Sequence, residues 1–260
     1  MKKISVILLS CSMAVVAQAQ VIDPLTGSLS GYTTTLVNDG GSGGASSVSF
    51  TDSGSGLQAN FVGTVADPEQ ALFLAPASSF ATTFAVGDTL SVNVTMPAST
   101  IQEDFGLAIS ATATPPAAGA NASTRANFDW ASISVRPSQT SIRQNTSING
   151  TLTTGSFVVS SVAPTSVSGL YISWVSPLVF TLGYINSSDV LVPDDTVTFE
   201  SGSAIGTAIG FYADMRDAGG GTTLGNFTDL TIQPIPEPTT MALCGLGGFL
   251  GLVGWMRRKK

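Results

Sequence analysis

Any chemistry in this chain has to come from carboxylates, hydroxyls and aromatic rings, because its 260 residues include no histidine. That removes His-based nucleophilic triads, zinc sites built on imidazole and the usual general base near neutral pH. The glutamates are Glu69, Glu103, Glu200 and Glu237, beside a larger set of aspartates. Hydrolysis of a glycosidic bond needs two carboxyl groups at a set separation. Glu103-Asp104 and Asp194-Asp195 are the adjacent pairs that offer them, and no residue is assigned as catalytic. Calcium asks for less, since oxygen ligands carried on loops suffice. Asp194, Asp195, Asp214 and Asp217 are expected in loops flanking late strands, and Asp67 and Glu69 share another. Two such loops meeting over one rim would hold a Ca2+, for stability or to bridge a sugar; the plainer reading is solvated turn acids. No motif requires a cofactor.

Aromatic rings offer a second kind of site, because the face of a pyranose packs on the face of a ring. Trp130, Trp174, Tyr171, Tyr184 and Tyr212 are the candidates, although rings at period-two spacing more often belong to a core. Tyr171 and Tyr212 are the two expected at the surface, each neighbouring an apolar residue that should point inward, and they are the candidate glycan contacts. Asn-x-Ser/Thr triplets such as Asn93-Val94-Thr95 are expected by chance in so Ser- and Thr-rich a chain.

The elements that must position these groups read as strands. Val48 and Phe50, then Leu57, Ala59 and Phe61, alternate with polar residues across a turn at Asp52 to Gly56, which predicts a hairpin. Leu90, Val92, Val94 and Met96 keep strict period two. Phe105, Leu107 and Ile109 make another strand, and Trp130 to Arg136 alternates Ile133 and Val135 with serines before Pro137. Ser141 to Thr154 is an edge hairpin around Asn149-Gly150, a favoured type I′ pair. Leu170, Ile172 and Trp174, then Leu178, Phe180, Leu182 and Tyr184, flank Pro177, and Val197 with Phe199, Ile209 to Ala213, and Leu230 with Ile232 complete about a dozen strands. Leu25 to Ala45, with Gly40-Gly41-Ser42-Gly43-Gly44, reads as an irregular lead-in and loop. The predicted fold is an all-β, two-sheet antiparallel sandwich over residues 20–233, which are 214 residues, within the range of one all-β unit.

Both ends carry addresses rather than fold. Met1 to Ala19 reads as a secretory signal peptide: Lys2 and Lys3, an apolar run from Ile4 to Val16, and Ala17-Gln18-Ala19 as the small-x-small site for signal peptidase. An alternative makes Leu8-Leu9-Ser10-Cys11 a lipobox. At the other end, Pro236-Glu237-Pro238 precedes 18 residues without a charge, Thr239 to Met256, and then Arg257-Arg258-Lys259-Lys260. As a helix that run is about 27 Å long, just short of a bilayer core of about 30 Å. The terminal cations belong on the cytoplasmic side and leave everything before the helix outside.

This three-part tail, residues 234–260, resembles the PEP-CTERM sorting signal of exported bacterial proteins. The resemblance implies recognition and cleavage by exosortase, a membrane-embedded cysteine transpeptidase-like enzyme. Pro236, Glu237, Pro238, Arg257 and Arg258 would be its recognition residues. The implied route is export, a membrane-anchored intermediate, then the cell surface or extracellular matrix. An ordinary C-terminal anchor behind a proline linker is the alternative.

Between the two end segments only Arg125, Arg136, Arg143 and Arg216 stand against all 17 acidic residues, a balance of −13 with no lysine. Nucleic acid is excluded as a partner, since no basic patch exists to displace counterions. Both cysteines, Cys11 and Cys244, fall in the end segments, so stability must come from a core rather than a disulfide.

The later strands also resemble a concanavalin-like, laminin-G-like jelly roll. Glu103 to Ile109 is similar to its inner strand. Leu170 to Trp174 and Leu178 to Tyr184 are similar to the paired strands that follow, and Ile209 to Tyr212 with Phe227 to Ile232 to its final pair. Such folds bind glycans, bury a structural calcium or space a surface, and fold alone does not choose. The Glu-x-Asp-x-Glu and Glu-x-Asp-x-x-Glu patterns of the related glucanases do not occur. The sequence therefore points to a non-enzymatic matrix or surface protein associated with exopolysaccharide; a lectin-like carbohydrate-binding module and, behind it, a glycoside hydrolase are the alternatives.

Overall fold

The computed structural model describes residues 18–39, 47–62, 69–95, 103–112, 128–139, 141–148, 151–156, 162–200, 208–215 and 222–234. The predicted signal peptide up to Ala17, the tail with Pro236, Glu237, Pro238, Arg257 and Arg258, Asp67, Asp217 and the Asn149-Gly150 turn lie outside the described residues. No helix among the described residues is long and apolar enough to cross a membrane.

Fifteen strands are described: β1 (Gln20–Asp23), β2 (Thr33–Asp39), β3 (Ser47–Asp52), β4 (Leu57–Val62), β5 (Glu69–Pro76), β6 (Asp88–Thr95), β7 (Asp104–Ser110), β8 (Trp130–Arg136), β9 (Ser141–Ile148), β10 (Thr151–Ser156), β11 (Val167–Ser176), β12 (Val179–Asn186), β13 (Leu191–Thr198), β14 (Ala208–Met215) and β15 (Thr222–Pro234). They form two antiparallel sheets. One runs β13-β12-β11-β6-β15-β4-β3 with β1 added beside β15, and the other runs β10-β9-β8-β7-β14-β5-β2. The chain is thus an all-β two-sheet sandwich.

Period two explains which face of each strand goes inside. Leu90, Val92 and Val94 of β6 and Leu170 and Ile172 of β11 meet Phe105, Leu107 and Ile109 of β7 and Phe211 of β14 in one core. Rings knit the sheets together: Phe73 of β5 stacks on Phe50 of β3 at 4.6 Å and on Tyr32 at 4.8 Å, and Phe105 meets Phe227 edge-on at 4.1 Å. Offset and edge-on ring pairs of this kind add about 0.5–1.5 kcal/mol beyond the area they bury.

Three expectations need correction. The stretch read as an irregular lead-in contains β2, because Thr33, Thr34, Thr35 and Val37, four β-branched residues around Leu36, favour a strand, and that strand pairs with β5. Asp194 and Asp195 lie within β13 and Asp214 within β14, not in loops. Pro193 fits there because β13 is an edge strand, where a missing backbone donor costs no ladder bond. Finally, β14 and β15 are consecutive but belong to opposite sheets, so they are not a hydrogen-bonded pair.

Candidate functional site

The seven-stranded sheet has two buried faces. One lines the core; the other carries Leu72, Leu74, Ala108, Phe128, Trp130, Ala208 and Tyr212 as a second apolar cluster, with polar side chains around it. Cross-strand register arranges this far face in rows. Thr35, Leu72, Tyr212, Gly106, Ser134 and Arg143 make one row across β2, β5, β14, β7, β8 and β9, and Gln70, Asp214 and Asp104 make its neighbour. Arg136, next after Val135 on β8, faces Asp104.

Small residues leave room for large rings. Gly106 and Gly210 carry no side chain, and Ala108 stands between β14 and β8, so Trp130 and Tyr212 reach toward each other and stack at 5.5 Å and 26°. Gly106 also sets how closely β7 and β8 approach, since an added Cβ would run into the backbone at Ile133 and Ser134. Both rings are fully buried.

Charge is concentrated beside the rings. The Arg136 guanidinium donates from Nε to Asp104 Oδ1 at 2.5 Å and from Nη2 to Oδ2 at 2.7 Å, while Arg143 Nε stands 4.0 Å from Oδ1. Burial is the largest influence on Asp104 and pushes its carboxyl up, the Arg136 hydrogen bonds oppose it, Asp214 pushes further up, and the outcome is about 6. Serines fill in behind: Ser134 Oγ donates to the Arg143 carbonyl and Ser132 Oγ to the Asn145 carbonyl, each at 3.3 Å. Trp130 Nε1, Gln70 Oε1 and Thr35 Oγ1 are buried and make no hydrogen bond among the described residues. Ser141 Oγ and Gln144 Oε1 of the same sheet are likewise buried without a hydrogen bond among the described residues, whereas buried polar atoms are nearly always paired.

The candidate residues from sequence are distributed unevenly. Tyr171 and Tyr212 are not at the surface: both are buried, and the expectation fails for different reasons. Tyr212 belongs to the far face, which is itself buried. Tyr171 lies across Gly183 on the neighbouring strand, where its ring comes within 2.7 Å of a hypothetical Cβ, and burial followed by the nearby charge of Asp194 pushes its hydroxyl up to about 12. The four aspartates do not form one metal site. Asp194 and Asp195 sit at a register shift in edge strand β13 of one sheet, Asp214 sits mid-sheet in the other, and Asp217 is outside the described residues. No group of three acidic or sulfur side chains able to hold a metal occurs among the described residues. Of the aromatic candidates, Trp130 and Tyr212 are brought together, while Trp174 and Tyr184 pack on the core. Sequence reasoning missed Arg136, Arg143 and Gln70; the two arginines, among only four in the domain and both on strands, were the available signal.

A family model matches residues 234–259 as the PEP-CTERM protein-sorting motif. The chain thus carries that motif, which marks an exported protein sorted by exosortase. In fold the chain is similar to a β-glucanase of Bacillus licheniformis, with 12% identity, 84% of this chain and 97% of that chain covered and a TM-score of 0.46. It is also similar to a carbohydrate binding module from Bacillus subtilis (13% identity, 78% and 95% covered, TM-score 0.41) and to the lectin UEA-II complexed with galactose (10% identity, 83% and 98% covered, TM-score 0.42). No curated protein matches it in sequence.

Proposed function

We propose that this chain is a cell-surface or matrix protein whose sandwich is a non-catalytic structural or adhesive unit, carried outward by its signal peptide and handed over through its tail. The observation that carries the reading is the junction: Pro234 is both the last residue of β15 and the first residue of the sorting motif. A central strand of the folded unit therefore runs into the address without a linker, as suits a domain that is itself the cargo. An acidic, lysine-free domain keeps itself hydrated and repels its neighbours. Asp104, the buried carboxyl on the far face, is held by Arg136, which speaks against a free general acid there.

Intact mass of the protein recovered from the cell surface tests this, wild type against Glu237→Ala. The expected product starts near Gln20 and ends near Pro236-Glu237-Pro238, and the variant keeps its tail. Retention through Lys260 in both would leave a plain membrane anchor and remove the matrix role.

A second reading, saccharide binding, would use the stacked Trp130–Tyr212 pair and the unpartnered Trp130 Nε1 and Gln70 Oε1 on the same sheet face; both rings are fully buried, so this reading requires that what covers them move aside. It predicts saturable binding to the producing cell's own exopolysaccharide, reported by quenching of tryptophan fluorescence. A flat titration removes it.

A further inference from the structure

The two exits of the sandwich open at the same end. β1 runs antiparallel to β15, with Gln20 opposite Ile232 and Val21 opposite Thr231, and the Thr82 hydroxyl donates to Gln20 Oε1 at 2.6 Å. β15 finishes beside the start of β6, Pro234 opposite Asp88. Next along the same end, the Gly87 N–H donates to the Trp174 carbonyl at 2.8 Å, which sets the approach to β6 against the end of β11. Val86 and Val175 each stand one residue from that hydrogen bond, 48% and 54% exposed, and the β11–β12 turn through exposed Pro177 continues the rim. No cation occurs at this end among the described residues.

Chain length then fixes how far this end can stand from a membrane. Only Ile235, Pro236, Glu237 and Pro238 separate Pro234 from the apolar run beginning at Thr239. Fully extended, that distance is at most about 17 Å, and the headgroup layer of one leaflet takes up roughly 5–8 Å of it. The sandwich cannot rise much more than about 10 Å above the headgroups even at full stretch.

We propose that, while the tail is seated in the bilayer, this end of the sandwich rests on the lipid surface with Val86 and Val175 as its contacts. The inference rests on the anchored intermediate of the reading above. A domain so acidic, with no cation at this end, is suited to neutral headgroups and is repelled by anionic ones.

The test uses residues 20–260 with Cys244→Ser, reconstituted in phosphatidylcholine vesicles. An environment-sensitive fluorophore is attached at Val175→Cys, or at Val190→Cys in the β12–β13 turn at the opposite end, which is equally exposed. The label at 175 should shift to the blue and lose at least half its intensity to a headgroup-level lipid quencher, while the label at 190 stays unchanged. If the protein floats with the vesicles and both labels respond alike, the lipid contact is wrong and the anchor stands. If the protein does not float, the anchored intermediate is wrong and the contact goes with it.

Discussion

Arg136 holds both oxygens of Asp104, at 2.5 and 2.7 Å, on the face of the seven-stranded sheet that turns away from the core. Both side chains are nearly inaccessible, so this is an ion pair removed from water. Such pairs cost desolvation comparable to what their attraction returns, yet losing one partner leaves a buried charge. Asp104→Ala or Arg136→Ala should therefore cost about 3–5 kcal/mol. The double variant Asp104→Leu with Arg136→Met should recover most of that loss in urea unfolding.

Acidification should stabilise the fold through the same residue, because a protonated Asp104 loses its desolvated charge yet still accepts from Arg136, which an alanine cannot do. The folded state holds the Asp104 proton up to about 6, against an ordinary 3.8, so between these values the native chain binds more protons than the unfolded one. Stability from this group is complete below about 4 and is lost as pH rises through 6. Relief of the domain's general negative charge acts in the same direction, so the comparison must be with Asp104→Asn. The wild type should gain more than the variant in urea midpoint between pH 7 and pH 4.5; equal gains would assign the effect to general charge.

The two-sheet sandwich was legible because its inner faces alternate. The hairpin read from Val48, Phe50, Leu57, Ala59 and Phe61 is β3–β4 with Val48 opposite Phe61, and Trp130 to Arg136 is β8 with the bounds expected. What alternation hid was the second buried face. Ser132 and Ser134 look like solvent-facing positions, yet both are inaccessible, and Tyr212 shares their environment. Period two says which residues share a face but not whether the polar face meets water. β13 was obscured for another reason: Pro193, Asp194 and Asp195 argue against a strand in general, but not against an edge strand.

Two glycines separate backbone strain from crowding. Gly225 has φ of +70° at the β15 irregularity between Leu224 and Phe227, and an added Cβ would come within 2.7 Å of the Phe105 ring and 2.9 Å of the Phe227 ring. Gly54 has φ of +80° with nothing within 4 Å. Gly54→Ala should cost about 1 kcal/mol, the left-handed penalty alone. Gly225→Ala should cost roughly 2–4 kcal/mol, adding the displaced rings. Equal losses in urea unfolding would mean that the aromatic cluster yields freely.

Calcium should leave the thermal midpoint of the domain unchanged. Three of the described carboxylates are already used one by one: Asp23 accepts from the Leu25 N–H and the Tyr32 hydroxyl, Asp52 from the Gly27 and Gly54 N–H groups, and Asp195 from the Thr196 N–H. Each is spent locally, and no three converge among the described residues. A site present at 100 times its dissociation constant would add about 2.7 kcal/mol, or roughly 5–10 °C for a domain of this size. Melts in millimolar calcium and in chelator should coincide to well within that range. A rise of that size with calcium would require ligands from outside the described residues, Asp217 first among them, and the separation of Asp194 and Asp195 from Asp214 would no longer argue against a bound ion.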